Sequence, residues 1–200
     1  MRLPVVSLCR YSLILWIAST TIAFVLTGCL TAQRKVLTFT LNADGSGKGR
    51  IVFENIMSMD DENGVDASAR DYGELINTFL HGARFQEMNP ELENMQKRLY
   101  EKDEVLYGEV TFDFLSYTSV GLYRHQGDGP YMYHIGRQSD IAWERYTSSN
   151  GVEGGARMPV VFWPAGTTEF SITASIQDPD VDTRTLLPLF RRFGTSVDKQ

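Results

Sequence analysis

From residue 36 to residue 57 apolar and polar side chains trade places along the chain, the mark of strands with one buried face. Leu37, Phe39 and Leu41 alternate with Val36, Thr38 and Thr40. Asn42 to Gly49 is rich in residues that tolerate positive φ and predicts a turn. Arg50 to Met57 then predicts the returning arm of a hairpin. Ser58 to Ser68 reads as an acidic loop. Tyr72, Leu75, Ile76, Phe79 and Leu80 recur at helical spacing with Gly82 at a capping position, which predicts a helix over about 67–81. Residues 83–94 fit no single period.

From Met95 to Leu115 a helix over Glu91–Lys102 competes with a second hairpin that turns near Lys102-Asp103-Glu104. The hairpin is preferred, because Val110, Phe112 and Phe114 alternate with Thr111 and Asp113. Ser116 to Leu122 suggests a helical turn, and Gly127-Asp128-Gly129-Pro130 a reverse turn. Strands are predicted at 131–135, 141–147 and 158–163, with a Gly-rich loop from Ser148 to Arg157. The cleanest alternation comes next: Thr168, Phe170, Ile172, Ala174 and Ile176 against Glu169, Ser171, Thr173, Ser175 and Gln177. A last helix is predicted over about 185–193, with Leu186, Leu187, Phe190 and Phe193 on one face, Thr185 as its cap and Arg191-Arg192 at its C-terminal end. Paired strands with segregated helices imply an α+β fold, mainly an antiparallel sheet built from hairpins, with one helix after the first hairpin and one at the C-terminus.

The start of the chain follows other rules. Arg2 and Arg10 precede an uncharged run from Tyr11 to Leu30 that ends in Leu26-Thr27-Gly28-Cys29. A charged start followed by an apolar run is the layout of a secretory signal. Those four residues resemble the lipobox of bacterial lipoproteins: an aliphatic residue, a small residue, Gly or Ala, then Cys. The resemblance implies cleavage between Gly28 and Cys29 and lipid on the Cys29 thiol. More than one acyl chain is needed for stable anchoring, each buried CH₂ contributing about 0.8 kcal/mol. The alternative is a leader retained as a membrane-spanning helix, for which twenty uncharged residues suffice. On the lipoprotein reading the chain divides into a removable signal (1–28), a lipidated Cys and short tether (29–35), one α+β domain (36–194) and a tail (195–200). Residues 30–35 would reach about 20 Å at full extension. Leu30, rather than Asp, after the Cys implies the periplasmic face of the outer membrane in a Gram-negative cell. The order hairpin, helix, hairpin resembles the domain of LppM-type bacterial lipoproteins, and the Asp44-Gly45-Ser46-Gly47-Lys48 turn resembles exported lipoproteins more generally; neither transfers a site residue.

Charge and composition narrow the partners. Losing Arg2 and Arg10 with the leader leaves 17 basic against 25 acidic residues, a balance of −8. That argues against nucleic acid, which needs a concentrated basic face. The two cysteines are Cys9 and Cys29, so the mature domain has no internal disulfide to lean on. Asn42, Asp44, Ser46 and Gly47 imitate a calcium loop, but Phe53 stands where a bidentate Glu would close it, so a plain hairpin turn is preferred. Gly45-Ser46-Gly47-Lys48 lacks the spacing of a phosphate loop. Asp60, Asp61, Glu62 and Asp66 read as a solvated loop, and His81, His125 and His134 form no short-spaced pair that would indicate zinc. No nucleophile elbow is present, and no cofactor motif. Tyr131 and Tyr133 share one strand face, with Trp143 downstream, and an exposed platform of this kind would suit a glycan, lipid or protein. Burial in the core is the favoured reading of the same rings. The expectation is a membrane-anchored, non-enzymatic binding or envelope-interaction domain with an envelope protein or glycan as partner. The rival readings are an envelope enzyme acting on glycan or lipid, and a structural subunit of an envelope complex.

Overall fold

The computed structural model describes residues 30–60, 64–135, 144–177 and 181–194. Gly28, Cys29 and Trp143 therefore lie outside the described residues, as do the leader and the tail 195–200.

The described residues form two antiparallel sheets. Strand β1 (Leu30–Leu41) pairs with β2 (Gly47–Met59), and β2 pairs with β4 (Val105–Phe114). Strand β3 (Leu92–Lys102) flanks β4 on the outside. On the other side of β1 lie β10 (Glu169–Ser175) and then β7 (Arg145–Ser149). The order is β3-β4-β2-β1-β10-β7, and β11 (Thr183–Thr185) joins the far end of β2. The second sheet is smaller: β5 (Leu122–Arg124), β6 (Tyr131–His134), β9 (Val160–Trp163) and β8 (Val152–Glu153), in that order. Helix α1 (Ser68–Glu74) runs on as a π-helical stretch over Leu75–Leu80. Helix α2 (Arg84–Met88) fills part of the unassigned stretch, and α3 (Leu187–Phe193) follows β11. The α+β class, the helix after the first hairpin and the C-terminal helix are as the sequence predicts. Among the described residues no helix is long and apolar enough to cross a membrane.

The inner face of the large sheet carries the core. Leu37, Phe39 and Leu41 of β1 lie beside Ile172 and Phe170 of β10 and Ile51 of β2, all buried. One end of this face is covered by Leu75, Phe79, Phe85 and Leu186; the other is covered by the second sheet, where Tyr131 and Trp163 stack edge-on against Phe170. The outer face is polar. There Glu109, only 6% exposed in its side chain, is held between Arg50 and Arg98, whose Nε atoms donate to it at 2.7 and 2.8 Å.

Three local corrections follow from packing. Residues 30–35, expected as a tether, are the first half of β1: Leu30 pairs with Ser58, and Leu30 and Ala32 are buried. Gln33, Arg34 and Lys35 hide the strand period, and two of them are held by ion pairs, Arg34 to Glu54 and Lys35 to Glu144. Gly47 and Gly49, expected in the turn, belong to β2; the Phe114 and Phe112 rings lie over them so closely that any Cβ would collide at 2.5 and 2.2 Å. Phe193, expected on the buried face of the last helix, is 56% exposed.

The turns have readable causes. Between β1 and β2, Asp44 accepts from the Ser46 backbone N–H at 3.0 Å and from its hydroxyl at 2.6 Å, and these bonds hold the Asp44 carboxyl below its ordinary pKa. Asp66 accepts from the Ser68 N–H at 2.9 Å at the start of α1, and its pKa is lowered chiefly by that bond. The stabilisation from both carboxylates is present at neutral pH and is lost as pH falls through their lowered values. The β3–β4 turn places Asp103 and Glu104 at φ of 51° and 59°. Both central residues are left-handed, the geometry of a two-residue hairpin that favours Asn-Gly. Glu104→Gly is therefore expected to stabilise the protein by about 1 kcal/mol, read as an upward shift of the urea midpoint with unchanged m-value.

Candidate functional site

The predicted aromatic face is real, and it points inward. Register across the second sheet aligns Leu122, Tyr133, Val161 and Glu153 in one row, and Arg124, Tyr131 and Trp163 in another. Leu122, Tyr131, Val161 and Trp163 are all buried. Tyr131 meets Tyr117 and Phe170 edge-on at 5.6 and 5.1 Å, and the Arg124 guanidinium lies 4.6 Å from its ring centre. Tyr133 is half-buried against the core; burial of its phenol raises its pKa, and the Glu144 carboxylate raises it further. Tyr131 is thus core, and Tyr133 belongs with it. Trp143 lies outside the described residues.

The opposite parity forms the exposed surface. Tyr123 pairs with Met132, Met132 with Phe162, and Phe162 with Val152, so one apolar row crosses all four strands of the second sheet on its outward side. Tyr123 is 43% and Val152 is 70% exposed, and Met158, 50% exposed, sits at the entry to β9. An antiparallel sheet with a solvated face normally puts polar residues there. The signal was in the sequence: Tyr131-Met132-Tyr133 and Val160-Val161-Phe162-Trp163 are apolar at both parities, so burying one face necessarily leaves the other apolar.

No family of known proteins matches the chain, and no curated protein or solved structure is significantly similar to it.

The remaining sequence candidates are scattered. Among the described residues no three metal-ligating side chains gather within reach of one ion. His81 and His125 are exposed, and His134 is half-buried at the end of β6. Asp60 and Asp66 share a single partner, Arg184, at 3.0 and 2.8 Å, which ties the acidic loop to β11. Asp44 is engaged with Ser46 inside its own turn. Asp71 is fully buried in α1 and accepts from the Ser58 hydroxyl at 2.6 Å, a bond that pins the helix to β2.

Proposed function

We propose that this chain is a membrane-anchored bacterial lipoprotein, lipidated on Cys29, whose domain binds an envelope partner without turning it over. The observation that carries the binding reading is the outward apolar row Tyr123, Met132, Phe162 and Val152. Apolar rows exposed on a sheet face are costly in water and are kept where something covers them. The partner this row fits is a protein with a complementary apolar strip, since flat, unbranched contact across four strands offers few hydrogen bonds to a sugar.

The lipobox reading gains geometric consequence from β1. The strand is ordered from Leu30, the residue after Cys29. An anchor on that thiol therefore abuts the folded sheet with no slack, and the domain sits on the bilayer at a defined end. The second sheet packs over Phe170, which pairs with Phe39, nine residues further along β1 from Leu30. At about 3.3 Å per residue that is roughly 30 Å from the anchor. The row is thus set away from the lipid, where a partner in the envelope can reach it.

Photo-crosslinking residues placed at Val152 or Tyr123 are expected to give one discrete adduct in intact cells. The same residue at Thr38, on the polar face of the large sheet, is expected to give none. Val152→Glu should abolish the Tyr123 adduct while changing folding stability by no more than about 0.5 kcal/mol. Equal adducts at Thr38, or an adduct that survives Val152→Glu, would remove the second sheet from consideration. The same row would serve a structural subunit permanently covered by its neighbour; co-elution of the partner in size exclusion after detergent extraction marks that case.

A further inference from the structure

The cleft between the first helix and the large sheet has three independent peculiarities. First, Leu75–Leu80 is π-helical, closed by a bond from the His81 N–H to the Ile76 carbonyl at 3.0 Å. Stretches of this kind are rare and concentrate at functional sites. Second, this stretch walls two adjoining cavities. The inner one, about 50 Å³, is lined by Leu30, Ala32, Phe53, Ile56 and Phe79 among others. The outer one, about 430 Å³, lies between Tyr72, Ile76, Leu99, Phe190 and Phe193. Leu80, Lys97, Arg98 and Leu99 line both, so the two meet along these residues. A volume of that size lies in the range of small-molecule pockets.

Third, a cation stands at the junction without a counter-ion. The Lys97 Nζ donates to the Gly82 carbonyl at 2.5 Å, and among the described residues no carboxylate pairs with it. Its neighbour Arg98 is committed to Glu109 on the opposite face of the sheet. Partial burial lowers the Lys97 pKa, the expected cost of keeping an ammonium away from water. A partly buried cation beside apolar walls is complementary to a single negative head on a hydrocarbon tail.

We infer that this cleft binds a long-chain fatty acid, its carboxylate on the Lys97 ammonium and its tail between Ile76, Leu80 and Leu99. Arg98 is neutralised by Glu109, so one unpaired cation is left to match one carboxylate, and a mainly apolar cleft with a single inner extension matches one tail rather than two. This site is separate from the outward row of the second sheet and does not depend on it.

The test uses palmitic acid carrying a mid-chain photoreactive diazirine, irradiated with the full chain in nanodiscs. Adducts are expected on peptides containing Leu75–His81 and Lys97–Leu99, competed away by unlabelled palmitate. Lys97→Met should weaken labelling about tenfold, the loss of one charge-assisted hydrogen bond, and Lys97→Arg should restore most of it. Leu80→Trp, which fills the junction, should abolish labelling with an unchanged circular dichroism spectrum. Labelling spread along the chain and insensitive to palmitate would mean partition into the bilayer only. Labelling unchanged in Lys97→Met, or competed better by a lysophospholipid than by palmitate, would also overturn the inference. Failure here leaves the Val152 crosslink untouched, so the two proposals fall separately.

Discussion

Phe170→Ala should lower folding stability by about 3–5 kcal/mol, one of the largest losses any single side chain in this protein can produce. The ring is 1% exposed and stands where the two sheets meet. It contacts Tyr131 at 5.1 Å and Trp163 at 5.3 Å, both edge-on. Removing it costs the transfer energy of the ring and leaves a cavity bounded by two rigid aromatic neighbours that cannot easily collapse. The matched control is Phe193→Ala, whose ring is 56% exposed and should cost well under about 1 kcal/mol. Urea unfolding of the two variants checks the pair. If Phe170→Ala behaves like Phe193→Ala, the second sheet does not pack on the first through this residue.

The second large effect is electrostatic and non-additive. Glu109 is buried on the polar side of β4 between Arg50 and Arg98, which are themselves about half exposed. Either arginine alone can satisfy the carboxylate, so Arg50→Met or Arg98→Met singly should cost no more than about 1 kcal/mol. The double variant strands a buried charge and should cost about 3–5 kcal/mol. Adding Glu109→Met to the double variant should recover most of that loss, because the penalty lies in the uncompensated charge and not in the missing pairs. Equilibrium unfolding of the four variants closes the cycle. A double variant equal to the sum of its singles, with no recovery in the triple, would show Glu109 to be solvated.

Much of the fold could be read from residue order because its decisive elements are local. The alternation of Phe170, Ile172 and Ala174 survives intact in β10, and Ile176 just past its end is buried with them. The second hairpin also turns where expected, at Asp103-Glu104, since the Val110-Phe112-Phe114 period admits no other arm. What escaped were features set by distant partners. Gly47 and Gly49 look like turn residues until Phe114 and Phe112 are laid across them from β4. The polar run Gln33-Arg34-Lys35 looks like tether until Glu54 and Glu144 arrive to pair with it. The π stretch has the same inward residues as an ordinary helix over 67–81, so spacing alone cannot reveal it. Gly82 likewise stands where a capping glycine belongs, but it is needed for room: a Cβ there would meet the carbonyls of Thr78 and Asn77 at 2.5 and 2.7 Å.

The candidate surface was half legible. Strand parity placed Tyr131 and Tyr133 together, and parity says which residues share a face without saying which face is wet. The deciding information is that β5, β6, β9 and β8 sit with the Tyr131 and Trp163 rings against Phe170, which turns Met132 and Phe162 outward. The cleft at Lys97 had no local signal at all, because its walls come from β1, β2, β3, β4 and all three helices.

Intact-mass analysis of the native protein, extracted from membranes and never delipidated, tests the anchoring directly. The expected result is a mature chain whose first residue is Cys29, heavier than its sequence by a diacylglycerol and, where a third chain is added, one further acyl group. A first residue anywhere else, or a Cys29 thiol free of acyl mass, contradicts it.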